Sequence, residues 1–233
     1  MRNNKLWLRL IVPFIGLVVL VDFYLIFFYA PPEKYMGDVQ RLMYFHIPSA
    51  WIAFLAFFIV FIMSILYLIK KDDRFDRLAY CSAELGVLFT TLVLITGPIW
   101  ARPIWNTWWT WDPRLTTTLI LWFIYIGYLV LRSASDGEQV GKKVAAIFGI
   151  VGFIDVPIVH LSVKWWRSIH PVDVVSERGM NMTAKMSITL LFSGFTFMIL
   201  AGLLLYLRLR LENSKAKVKQ LHLRKSVIGR ETS

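Results

Sequence analysis

The sequence predicts an all-α integral membrane protein: six transmembrane helices, both termini cytoplasmic, and a tryptophan-rich external loop between helices 3 and 4. Three observations predict it. Of the 233 residues 57% are hydrophobic and the mean hydropathy is +0.58, too apolar for an ordinary soluble domain. The apolar residues gather into six runs of about 20, the length at which one helix crosses a hydrocarbon core of about 30 Å. The 26 Lys and Arg, against 15 Asp and Glu, are concentrated beside alternate runs, so the net charge of +11 is not a nucleic-acid footprint.

The runs occupy residues 6–29, 47–69, 83–100, 115–131, 144–161 and 186–207. Unpaired backbone groups are costly in lipid, so such runs form helices or closed barrels, and these lack the alternation of barrel strands. The first run begins among Arg2, Lys5 and Arg9, as a signal peptide would. It is long for one, and Phe28-Tyr29-Ala30 lacks the small residue expected near a cleavage site, so it reads as a retained helix. Asp112-Pro113 reads as an N-cap and first position of the fourth helix. Pro157 is placed to kink the fifth. Eighteen of the 26 basic residues lie within the first nine residues, in the second and fourth connections, and after residue 207. Positively charged segments resist translocation, so those segments and both termini are expected on the cytoplasmic side. Residues 1–207 then form the membrane domain and 208–233 a basic cytoplasmic tail that meets anionic membrane lipid. The single cysteine, Cys81, excludes an internal disulfide, a CxxC pair and the C-x-x-C-H pattern of covalent heme attachment.

Three external connections collect the unusual residues. The first carries Arg41 and His46; the second carries Trp100, Arg102, Trp105, Trp108, Trp109, Trp111, Asp112 and Arg114; the third carries Trp165, Trp166 and His170. Tryptophan is enriched at any membrane interface, and a lone interfacial histidine is unremarkable in kind. The clustering is what points to a site. Trp105, Trp108 and Trp109 stand at i, i+3 and i+4, which predicts one face of a short helix along the interface. His46 is expected at a helix start, where the positive end of the dipole keeps imidazole neutral and able to bind metal. Two imidazoles beside a platform of indoles fit a flat, apolar, iron-containing ligand, heme, with Arg41, Arg102 and Arg114 placed to receive propionates or, equally, headgroup phosphates. Zinc fits less well, for no close-spaced ligand set such as H-E-x-x-H occurs. His160 reads as packing or interfacial. Asp22 and Asp155 lie inside runs and face either a polar path or another helix. No P-loop is present: Gly141-Lys142-Lys143 is not followed by Ser or Thr, so any ATP-driven step needs another subunit.

The stretch from Trp100 through Trp105-Asn106-Thr107-Trp108-Trp109-Thr110-Trp111-Asp112-Pro113-Arg114 to Thr116 resembles the tryptophan-rich signature of heme-handling proteins in cytochrome c maturation. With His46 in Met-Tyr-Phe-His-Ile-Pro and His170 after Ser162-Val163-Lys164-Trp165-Trp166, the chain resembles the heme exporter protein C family over nearly its whole length. The resemblance implies heme bound on the outer face of the bacterial cytoplasmic (inner) membrane. It implies His46 and His170 as axial ligands, and Trp100, Trp105, Trp108, Trp109, Trp111 and Asp112 as the heme-binding loop. It also implies an ABC-type ATPase, its membrane subunit, a small single-span subunit and a periplasmic heme chaperone as partners. Asn106, Ala101 and Pro113 depart from the small residues that the family pattern has there. The chain is thus expected to hand heme on unaltered rather than act as an enzyme. A heme-carrying oxidoreductase subunit facing quinone is the alternative, but such proteins bury their ligands well inside the spans, whereas His46 and His170 lie at helix ends. A heme lyase of the wider family would need additional spans.

Overall fold

The computed structural model describes residues 2–134, 138–170, 175–176, 179–180 and 182–231. In chain order these form α1 (Arg2–Tyr24) with a π-helical turn (Leu25–Tyr29), a 3-10 turn (Asp38–Leu42), α2 (Met43–Lys70), α3 (Asp73–Trp105) and α4 (Pro113–Ala134). They continue with α5 (Gln139–Gly152), α6 (Asp155–Trp165), a hairpin of two-residue strands (Val175–Ser176 and Gly179–Met180) and α7 (Ala184–Glu231). Six of these helical segments, α5 and α6 counted as one, are long and apolar enough to cross a membrane.

Each element has a local cause. Asp72 caps α3 by accepting from the Arg74 N–H at 2.8 Å, and Lys71 ends α2 in the left-handed conformation (φ 54°). α4 begins as expected: the Asp112 carboxylate accepts from the Arg114 N–H at 3.0 Å and its carbonyl from the Thr116 N–H at 2.9 Å. The fifth span is not one helix. Pro157 has no N–H to give the Phe153 carbonyl, which accepts from the Val156 N–H at 3.1 Å instead, and α5 stops short of α6.

Two boundaries differ from hydropathy. α3 starts ten residues before the apolar run at 83, and α7 continues unbroken past residue 207 to Glu231, so the basic tail is helical wherever it is described. Its residues are good helix formers, and Arg208 bonds Glu212 one turn on at 2.7 Å. These extensions pair at one end of the bundle. Asp76 holds Arg132 by two bonds, 2.9 and 2.5 Å, Asp73 meets Lys142 at 2.8 Å, and Glu84 meets Arg208 at 2.7 Å.

α2 and α3 make the most extensive helix pair, and close approach is set by small residues, as in lipid where packing rather than water drives association. A Cβ at Gly86 would run into the Phe57 ring, which itself stacks on Tyr125 at 3.8 Å. Asp22, buried, accepts from the Ser193 hydroxyl at 2.7 Å and fastens α1 to α7. It joins helices. Asp155 is buried at the first turn of α6 beside the break. Outward, the helices expose a belt of Leu, Ile, Val and Phe suited to lipid.

Candidate functional site

At the end opposite the ion pairs, α2 and α4 begin and α3 and α6 finish, and a cavity of about 390 Å³ opens among them. Its walls include His46, Trp51 and Phe54 of α2, Thr90, Trp100 and Trp105 of α3, Trp109 of the following loop, Arg114 and Leu121 of α4, His160 of α6 and His170 beyond it. The lining is largely apolar and aromatic with a few convergent polar groups, the usual make-up of a small-molecule site.

His46 closes the first turn of α2 and is half-buried. Its Nδ1 lies 2.8 Å from Thr96 Oγ1 of α3, and its ring meets Trp100 edge to face, centroids 5.8 Å apart. His170 comes from the segment after α6. That segment is held by Asp112, whose second carboxylate oxygen accepts from the Ser168 hydroxyl at 2.8 Å and the Ile169 N–H at 2.9 Å. Ser168 in turn accepts from the His170 N–H at 3.0 Å. One aspartate therefore caps α4 with one oxygen and positions the His170 segment with the other. Pro171, the next residue, lies outside the described ones. The Arg114 guanidinium spans the gap, donating to the His160 carbonyl at 3.0 Å and lying 3.4 Å from His170 Nδ1.

The tryptophans divide. Trp100 and Trp105 belong to α3 rather than to a loop, and with Trp109 they line the cavity; Trp108 and Trp111 do not and are exposed. The short interfacial helix expected from Trp105, Trp108 and Trp109 is absent. Asn106 turns into the left-handed region (φ 54°) and ends α3, and residues 107–112 run on without helix to Pro113. Asparagine is the non-glycine residue best suited to that conformation, so its replacement of the expected glycine is physically compatible. Arg102 lies over Trp108, 6.0 Å from the ring, and donates to the Asn106 carbonyl and side-chain oxygen at 2.5 Å each. Arg41 binds Asp38 at 2.9 Å and donates to the carbonyls of Ile26, within the π-helical turn, and of Ala30, just after it. Of the three arginines, only Arg114 lines the cavity.

Sequence reasoning passed over Thr96, Ser168, Trp51 and the position of His160 on the cavity wall. Thr96 carried a readable signal, a hydroxyl one helical turn before Trp100 on the same face of an apolar run. Ser168 carried none. Trp100 keeps its indole N–H buried without an acceptor among the described residues, a donor that a ligand with a polar edge would satisfy. Three imidazoles, a guanidinium and four indoles around one apolar cavity suit a flat aromatic metal complex bearing carboxylates.

Comparison with known proteins identifies the family that the chain resembles. The family model described as heme exporter protein C matches residues 1–224. A cytochrome c biosynthesis ccmC-like mitochondrial protein of Marchantia polymorpha is 34% identical over 202 residues, covering 87% of this chain and 86% of its own. Heme exporter protein C of Bradyrhizobium diazoefficiens is 33% identical, covering 83% of this chain and 74% of its own, and that of Haemophilus influenzae is 34% identical, covering 82% and 78%.

Proposed function

The chain belongs to the heme exporter protein C family, and from that premise we propose that it binds heme in the cavity between His46 and His170 and delivers it for cytochrome c maturation. Membership of that family supports a role in heme export for cytochrome c biogenesis, and in this reading the chain is a membrane subunit rather than an enzyme. Heme is cargo here. The observation that carries the reading is the meeting of two histidines far apart in sequence on one cavity wall set with Trp100, Trp105, Trp109 and Arg114.

In this reading the imidazoles of His46 and His170 take the two axial positions of the iron and the indoles cover the porphyrin. Arg114, the arginine on the wall, receives a propionate through a charge-assisted bond. Trp108, Trp111 and Arg102 build the exposed part of the loop, and Arg41 supports the site through the end of the first helix. Asp112 keeps His170 in place. The cavity faces the periplasm across the inner membrane with both termini cytoplasmic, which puts it within reach of a periplasmic heme chaperone. An ABC-type ATPase, its membrane subunit and a small single-span subunit complete the assembly, because this sequence carries no P-loop of its own.

The test is spectroscopic. Purified protein titrated with hemin is expected to give a Soret band of a bis-histidine complex. His46→Ala and His170→Ala each weaken and shift it, and the double variant abolishes it. A double variant with the parent spectrum would overturn the ligand assignment.

A further inference from the structure

Among the described residues the hydrogen bond of the His46 side chain runs from Nδ1 to Thr96 Oγ1, at 2.8 Å. The same hydroxyl lies 2.7 Å from the Leu92 carbonyl oxygen, one turn earlier in α3, and 3.4 Å from that of Val93. A threonine hydroxyl has one proton and two lone pairs, and a backbone carbonyl can only accept. The proton therefore goes to the helix's own carbonyl, and what the oxygen turns toward the imidazole is a lone pair. Nδ1 must then carry the hydrogen. A neutral imidazole protonated at Nδ1 has its lone pair at Nε2, the nitrogen that a metal needs.

The ring is also confined. Trp100 meets it edge to face with an interplanar angle of 73°, and on α3 the residue between Thr96 and the prolines of that helix is Gly97. A Cβ added at Gly97 would lie 3.4 Å from His46 Cε1, so the ring rests against the backbone there. Thr96 and Trp100 stand one turn apart and grip the imidazole from one helix while α2 carries it.

We infer that Thr96 is the positioning residue of the site: it fixes the Nδ1–H tautomer of His46 and so presents Nε2 to the cavity as a ready ligand for heme iron. The inference rests on the heme reading above. No proton has to leave His46 before coordination, and the hydrogen bond at Nδ1 raises the donor strength of Nε2, as partners of metal-bound histidines do. Thr96 touches neither iron nor porphyrin in this account; it acts through His46.

Thr96→Val keeps the shape and removes the acceptor, and Thr96→Ser keeps the hydroxyl. Nitrogen NMR of histidine-labelled full-length protein in detergent, without heme, reads the tautomer, with the His46 signal assigned by its loss in His46→Ala. The parent and Thr96→Ser are expected to show a protonated Nδ1 and a bare Nε2, and Thr96→Val a mixture. In hemin titrations Thr96→Val is expected to bind roughly 10- to 100-fold more weakly, the usual cost of losing such a partner, with a shifted reduction potential, while Thr96→Ser stays near the parent. A Thr96→Val protein with the parent's tautomer, affinity and potential overturns the role of Thr96 while leaving His46 a ligand. A fixed tautomer in a parent protein that shows no His46-dependent hemin binding overturns the functional reading, and the inference toward iron with it.

Discussion

Arg41 shows how a single residue can be legible in kind and not in use. A basic side chain five positions before a candidate ligand histidine reads as a propionate partner, and charge alone supports that. Its guanidinium is instead spent on the Ile26 and Ala30 carbonyls, where the first helix widens into a π turn and leaves acceptors unpaired, and on Asp38. Hydrogen bonds to a charged group are each worth about 1.5–3 kcal/mol. Arg41→Ala is accordingly expected to lower the thermal midpoint of the detergent-solubilised protein by several degrees while changing hemin affinity less than Arg114→Ala does. Loss of hemin affinity at an unchanged midpoint would return Arg41 to the ligand. Thr96 is the converse case: an unassuming residue whose single proton, already given to Leu92, decides the state of its neighbour.

At the scale of elements, the six spans were readable because twenty apolar residues in a row admit few alternatives in lipid, and the ends were not. Residues 73–82 and 208–231 are helical but polar, so hydropathy passes over them, and they are held by ion pairs such as Asp76–Arg132 that join distant parts of the chain. The kink at Pro157 was legible from the missing N–H. The conformation of residues 107–112 was not, because i, i+3, i+4 spacing shows only where side chains would fall if a helix formed, and Asn106 ends it. Asp112 was legible as a cap from its place before Pro113, yet its second oxygen reaches across to Ser168 and Ile169. Replacing it by Ala removes a cap, about 1 kcal/mol, and frees the segment bearing His170. The expected outcome is faster backbone hydrogen exchange at residues 166–170. The hemin complex should also shift from six-coordinate low-spin toward five-coordinate high-spin, because His46 is retained. An unaltered spin state would show that Asp112 does not position His170.

For the whole molecule the decisive quantity is orientation, since a heme site on the cytoplasmic side could not meet a periplasmic acceptor. The helices that bring α2, α3, α4 and α6 to the cavity put the ion pairs of Asp76, Asp73 and Glu84 at the far end, the same end to which the basic extension of α7 belongs. Lys and Arg are retained on the cytoplasmic side, so this end is expected inside and the cavity outside. The chain offers a direct test, because its one cysteine, Cys81, is buried and gives little background. Tyr35, 86% exposed in the connection before α2, and Lys217, exposed on α7 beyond the apolar run, report the two sides. In cells with a permeabilised outer membrane, a membrane-impermeant thiol reagent is expected to label Tyr35→Cys and to reach Lys217→Cys only after the inner membrane is opened. The reverse pattern would turn the cavity toward the cytoplasm and overturn delivery to a periplasmic chaperone, whatever the hemin spectra show.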